Sequence, residues 1–246
     1  MPGFDLIDRY TMKARVFPAV IALAPALALA VGLVSWDRIS ISDIIPSLFC
    51  AVFLFPLADV SRRLGKRVEN DLVQSWGGMP SVHLLRFRDS TLDDRTEARC
   101  LQFIGGRIGE NPPKREDETE APEACDEFYG RCCLWLREHT RNRERFGILF
   151  EENVGYGFRR NLLGLRWVGV AIGTFIGVLS ALSLMFSIPV FSDKIGVLRA
   201  SALIAFSAIH ILYLLIFVTR SSVYQSALLY ARQLILSYEP LLAEKK

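Results

Sequence analysis

Histidine is scarce in this chain: three residues in 246, His83, His139 and His210, far apart and with no H-E-x-x-H pair. That argues against the helical zinc-hydrolase signature. The five cysteines are an odd number without a C-x-x-C spacing, which argues against both a disulfide framework and a zinc ribbon. No glycine-rich loop ends in Lys followed by Ser or Thr, so no phosphate-cradling loop is expected. Vicinal Cys132–Cys133 have the makings of a redox pair. They interleave with Phe128, Trp135 and Leu136, however, and cysteine is among the residues most often buried, so core thiols are the expectation. Glu151, Glu152 and Asn153 carry oxygens suited to a hard cation. Adjacent helical positions diverge by about 100°, and pairing with Arg159, Arg160 or a neighbouring helix is the simpler role. No catalytic residue, metal or cofactor is expected, and the chain is not read as an enzyme.

Charge is missing from long stretches. From Trp167 to Ser187, WVGVAIGTFIGVLSALSLMFS holds no Asp, Glu, Lys, Arg or His, and a helix needs about 20 such residues to cross a hydrocarbon core. Three further apolar runs are Val16–Ser35, Ile44–Ala58 and Val197–Val218. The second is short, but Asp43 and Asp59 can sit near the interfaces. The fourth carries Arg199 near one end, where it can snorkel, and His210 inside. The first run is also compared with a signal peptide; it is longer than a typical apolar core, lacks a clear cleavage site, and is followed directly by another apolar run.

The resulting expectation is an all-α membrane protein. Residues 1–63 hold transmembrane helices one and two, 64–165 form a mainly α-helical insert, and 166–246 hold helices three and four and a C-terminal helix. Lys and Arg near the span ends set the orientation. On one side lie Arg9, Lys13, Arg15, Arg62, Arg63, Lys66, Arg67, Arg159, Arg160, Arg166, Arg220 and Arg232; on the other, only Arg38, Lys194 and Arg199. Both termini and the insert are therefore expected in the cytoplasm.

The insert mixes charges of both signs and reads as a globular module, not a polybasic arm. RRLGKRVENDLVQSW continues the second span as helix, and Gly77–Gly78 with Pro80 mark a turn. Ser90 or Thr91 is expected to cap a helix ending at Gly105–Gly106, and a second helix is expected from Ala124 to about Thr140. A third, from ERFGILFEEN, leads into the third span.

Within the spans, Gly169, Gly173 and Gly177, extended by Ala181, form a stripe at spacing four. Such stripes let two backbones approach closely in lipid; packing within one subunit and packing between subunits are equally open. The first run has similar stripes, Ala22–Ala26–Ala30 and Ala24–Ala28–Gly32. Ser207, His210 and Tyr213 are candidate pore-lining residues, since a histidine at membrane depth points to function by default. The alternative is a neutral imidazole bonded to a serine or a carbonyl.

Three stretches, QSWGGMPSVHLLRFRDSTLDDRTEARCLQFI, FYGRCCLWLREHTRN and LFEENVGYGFRRNLLGL, together resemble a family of bacterial four-span membrane proteins. Through it the chain resembles the membrane effector of the Hailong anti-phage system. Glu152–Asn153 and Tyr156–Asn161 carry most of the likeness; Ser81 stands where threonine is expected. The resemblance implies an inner-membrane, homo-oligomeric, tetrameric channel whose opening depolarises the membrane. It also implies single-stranded DNA oligomers, made by a companion nucleotidyltransferase, that hold the channel closed. Arg62, Arg63, Lys66, Arg67, Arg86, Arg88, Arg159 and Arg160 are the candidate phosphate contacts, with Phe87 and Phe158 available for stacking. A membrane-edge belt accounts for most of the same arginines. A non-conducting anchor that recruits a cytoplasmic partner is the competing expectation.

Overall fold

The structure, a computed structural model, describes residues 9–33, 44–186 and 194–243, without the side chains of residues 33, 44–55, 194 and 195. Arg38, Asp43, Cys50 and most side chains of the expected second span lie outside the described residues. Every regular element among those described is helical. In order they are α1 (Arg9–Thr11), a π-helical stretch (Met12–Val16), α2 (Phe17–Ala22), α3 (Ala24–Leu33), α4 (Ile44–Trp76) and α5 (Pro80–His83). There follow α6 (Asp94–Ile108), α7 (Asp117–Glu120), α8 (Pro122–His139), α9 (Gly147–Met185), α10 (Lys194–Phe217), α11 (Arg220–Leu236) and α12 (Tyr238–Ala243).

Two of these are long and apolar enough to cross a membrane: Gly147–Met185 and, within α10, Gly196–Phe217. A third span is reached if Arg9–Ala22 and Ala24–Gly32 count as one, although they meet at 64°. The first apolar run, expected as one transmembrane span, bends at Leu23. Pro18 and Pro25 lie within it, and each removes a backbone donor and crowds the turn before it.

The chain divides into two compact units, Met1–Glu69 with Gly157–Ser222, and Asn70–Tyr156 with Val223–Lys246. These borders differ from the expected ones at 63/64 and 165/166. Residues 166–246 do not stay together, because Ala231, Leu234, Ile235, Tyr238 and Leu241 belong to the core of the second unit.

The first unit is held by close backbone approaches. A Cβ on Gly164 would lie 2.6 Å from Leu64 C and Gly65 N, so α9 and α4 touch main chain to main chain. Ala19, Ala22 and Leu165 form a small cluster with Leu57 and Leu64. The outside of the spans is apolar, with Phe175, Leu198, Ile209 and Ile216 exposed, the inverse of a water-soluble helix pair.

The second unit is built in the ordinary way, apolar inside. Leu84, Leu85, Leu101, Ile104, Tyr129 and Leu136 are all but fully buried, together with Cys100, Cys132 and Cys133. Turn residues end α4: Gly77 and Gly78 have φ of 73° and 129°, where a Cβ would be strained. The cap of α6 is Asp93, not Ser90 or Thr91. Its carboxylate accepts from Thr96 N at 2.9 Å, and the Thr96 hydroxyl together with this N–H holds its pKa below the usual range. The helix also runs through Gly105–Gly106 to Gly109, whose left-handed φ of 75° ends it. Gly105 instead serves packing: a Cβ there would meet Glu110 O at 2.7 Å.

Candidate functional site

A polar group removed from water costs free energy unless it finds a partner, and a buried charge costs more. In the first unit the costliest groups converge on one place. Arg160 (5% exposed) on α9 donates from Nη1 to Glu69 Oε1 of α4 at 2.9 Å. Lys66, one turn earlier on α4, pairs with the other oxygen of Glu69. Arg160 Nε donates to Asn161 Oδ1 at 3.2 Å, and Asn161 Nδ2 donates to Ala14 O at 2.6 Å. Asn161 is fully buried. Three segments of the chain are thus joined by one polar knot.

Glycines make room for it. A Cβ on Gly65 would lie 2.0 Å from Asn161 Oδ1, and one on Gly157 would lie 2.8 Å from Tyr10 Oη and 3.2 Å from Ala14 Cβ. The motif Gly157-Phe158-Arg159-Arg160-Asn161 therefore has a division of labour. Gly157 seats the N-terminal helix, Arg160 and Asn161 form the knot, and exposed Arg159 donates to Ser222 Oγ at 2.7 Å.

A second polar contact lies deeper in the apolar segments. His210 Nε2 donates to Ile21 O at 2.8 Å, and Nδ1 is buried without a hydrogen-bond partner among the described residues. Ser207 is 1% exposed and its hydroxyl also lacks a partner. Gly169, Gly173 and Gly177 face these residues. Added Cβ atoms would meet Leu214 Cδ1 at 2.6 Å, Ile211 Cγ1 at 3.0 Å and Ser207 Cβ at 3.5 Å, respectively. The glycine stripe packs against α10 of its own chain, and Ala181, next along it, is half-buried. Ser207 and His210 turn inward on the same seam, whereas Tyr213, expected on their face, is exposed and stacks on Phe217. Their offsets of three residues drift around the helix, because three residues fall 60° short of a full turn.

The expected cations divide between the two units. Arg160 was expected beside Arg159 among the phosphate contacts; its guanidinium is instead buried and committed to Glu69, out of reach of a bulky anion. Lys66 is tied to the same carboxylate. Arg63 pairs with Asp59 at 2.7 Å, and Arg62 and Arg67 are exposed on α4. Arg86 and Arg88 belong to the second unit, where they line a cavity of about 340 Å3 with Phe87, Arg115, Glu118 and Asp126. There Arg86 grips Asp126 through Nε and Nη2 at 2.8 and 2.5 Å. Glu118 accepts from Phe87 N and Tyr129 Oη, and Arg115 covers the Phe87 ring at 5.6 Å. Arg88 is exposed at the rim, and Phe158 is half-buried in the other unit.

Cys100, Cys125, Cys132 and Cys133 are buried free thiols. Burial pushes Cys132 up to about 12 and Cys133 to about 11, far from a nucleophilic thiolate. Cys133 Sγ donates to Ser81 O at 3.3 Å, tying α8 to α5. Glu97 is 2% exposed and its Oε1 has no partner. Burial, with Glu118 and Asp94 nearby, raises its pKa to about 7. No group of three or more His, Cys, Asp or Glu suited to a metal occurs among the described residues.

Glu69, Gly65 and Tyr10 were not singled out in the sequence. Glu69 alone left a trace there, as an acid three residues after Lys66 on the helix expected to continue the second span. Fold and site together define, among the described residues, an all-helical protein with two helices long and apolar enough to cross a membrane, organised around buried intrachain polar contacts. Comparison with protein-family models, with curated proteins and with solved structures gives no match.

Proposed function

We propose that this chain is the subunit of an oligomeric channel of the bacterial inner membrane, an effector of anti-phage defence. It opens in response to its helical insert and depolarises the membrane. In this reading four spans cross the bilayer, both termini and residues 64–165 are cytoplasmic, and the assembly is a tetramer. It is not an enzyme. The observation that carries the reading is α9. One unbroken 39-residue helix supplies Leu149 and Tyr156 to the second unit and the apolar stretch from Trp167 to Met185 to the first. A ligand acting on the insert then has a continuous helical lever and no intervening loop. Single-stranded DNA oligomers made by a companion nucleotidyltransferase are the proposed closing ligand. Of the candidate cations, Arg62, Arg63, Lys66, Arg67, Arg88 and Arg159 are exposed enough to meet phosphates; buried Arg160 is not part of this proposal.

A non-conducting membrane anchor is the second reading. It is favoured by the inward placement of Ser207 and His210, which leaves the exposed faces of α9 and α10 apolar. Conductance separates the two. The purified chain in a planar bilayer, without added oligomer, should pass current and lose it when single-stranded DNA oligomers are added. In cells, a membrane-potential dye should report depolarisation on expression. An electrically silent bilayer together with undisturbed potential and viability would overturn the channel and leave the anchor.

A further inference from the structure

Two prolines in the first apolar run stand at matching places relative to the two polar contacts. In an α-helix the donor to Ala14 O would be residue 18, and the donor to Ile21 O would be residue 25. Both residues are proline and have no N–H. Ala14 O and Ile21 O each receive a side-chain donor from another helix: Asn161 Nδ2 of α9 at 2.6 Å and His210 Nε2 of α10 at 2.8 Å. The local backbone agrees. Just ahead of Pro18 the chain widens into a π-helical turn, with Phe17 N bonded to Met12 O. Two residues ahead of Pro25 it breaks at Leu23, and the segments on either side meet at 64°.

We propose that residues 12–33 form a clasped hinge. Pro18 and Pro25 each release one carbonyl, and a side chain on a different helix takes the place of the missing backbone donor. His210 is a positioning residue in this device. The bend is then set by α9 and α10 and not by the segment itself, so a shift of α10 that carries His210 off Ile21 O unlatches the segment at Leu23. The absence of side chains at Gly169 and Gly173 is part of the device. The former lets Ala22 approach to 3.3 Å of its Cβ position, and the latter leaves space for the imidazole. This accounts for the only histidine in the apolar runs without a pore, a proton relay or a metal. It stands whether or not the chain conducts.

Paired substitutions in the full-length protein in detergent micelles test the device. His210→Ala removes the side-chain donor from Ile21 O and leaves it only the Leu23 N–H of the bend, and amides of residues 19–30 should exchange about tenfold faster, the scale of one buried hydrogen bond. His210→Gln, which keeps a donor, should stay close to wild type. The decisive arm adds a proline replacement. Pro25→Ala returns an N–H to Ile21 O, so Pro25→Ala/His210→Ala should recover most of the lost protection. Pro18→Ala/His210→Ala should not, because residue 18 serves the other carbonyl. If His210→Ala alone fails to accumulate, folded yield of the two double variants is read instead; recovery with Pro25→Ala only is the expected result. Recovery with both prolines, or with neither, overturns the assignment.

Discussion

The two units solve opposite burial problems. In Asn70–Tyr156 with Val223–Lys246 the inside is apolar and the polar groups sit at the rim, as in the Arg86–Asp126 and Arg131–Glu110 pairs. In Met1–Glu69 with Gly157–Ser222 the exposed surface of the spans is apolar, and the strongest polar groups are inside: Glu69, Arg160, Asn161 and His210. Where lipid replaces water, apolar contact gives little preference for one helix arrangement over another. Buried hydrogen bonds and close glycine contacts then carry specificity. The second unit has cheaper means, and its one buried carboxyl without a partner for Oε1, Glu97, is a local strain and not an organiser.

If that contrast is right, damage to polar groups should be severe in the first unit and mild or even favourable in the second. The largest effect is expected at Glu69. Glu69→Ala removes the carboxylate that the buried Arg160 guanidinium meets and should cost about 3–5 kcal/mol. Glu69→Leu/Arg160→Met, which removes both charges, should recover much of it. Thermal unfolding in micelles gives both values, and an additive double variant would mean that the pair is not the organiser. Gly164→Ala should be nearly as damaging, at about 3 kcal/mol or more, because its new methyl meets main chain that cannot yield. Gly106→Ala, with open space around it, should stabilise α6 by about 0.5–1 kcal/mol.

An intermediate effect of opposite sign is expected at Glu97. Its folded pKa of about 7 lies above the ordinary 4.5, so the folded state holds the proton more tightly than the unfolded one. Stability should fall as pH rises between those values, since ionisation of the buried carboxyl disfavours folding. Glu97→Gln should therefore stabilise the second unit by on the order of 2 kcal/mol above pH 7 and hardly at all below pH 4.5. Denaturant melts at three pH values check this; a uniform shift across pH would mean that burial, not charge, sets the difference. The smallest effect belongs to the surface. Arg63→Gln breaks an exposed pair with Asp59 and should change stability by less than about 0.5 kcal/mol.

Gly173 tests the first unit from the packing side. Alanine there needs Ile211 to give by a few tenths of an ångström, whereas leucine must push α10 away and displace His210. The leucine variant should lose compactness as a monomer. If it instead keeps its monomer fold and only dissociates on a native gel, the stripe also serves contacts between copies.

Much of the architecture was readable from residue order alone. Runs without charge marked two membrane-length helices, and the interval of four between Phe128, Cys132 and Leu136 marked α8, because helical periodicity and burial are local properties. The turn at Gly77–Gly78 and the buried cysteines were legible for the same reason. The contacts that organise the first unit were not. Arg160 and Glu69 are 91 residues apart, and His210 and Ile21 are 189 apart; neither pairing leaves a periodic trace. Nor could the sequence alone tell Arg159 from Arg160, although one is exposed and the other buried. Adjacent helical positions point about 100° apart, so which of the two meets a carboxylate depends on where α4 lies, and only the packed tertiary structure decides that.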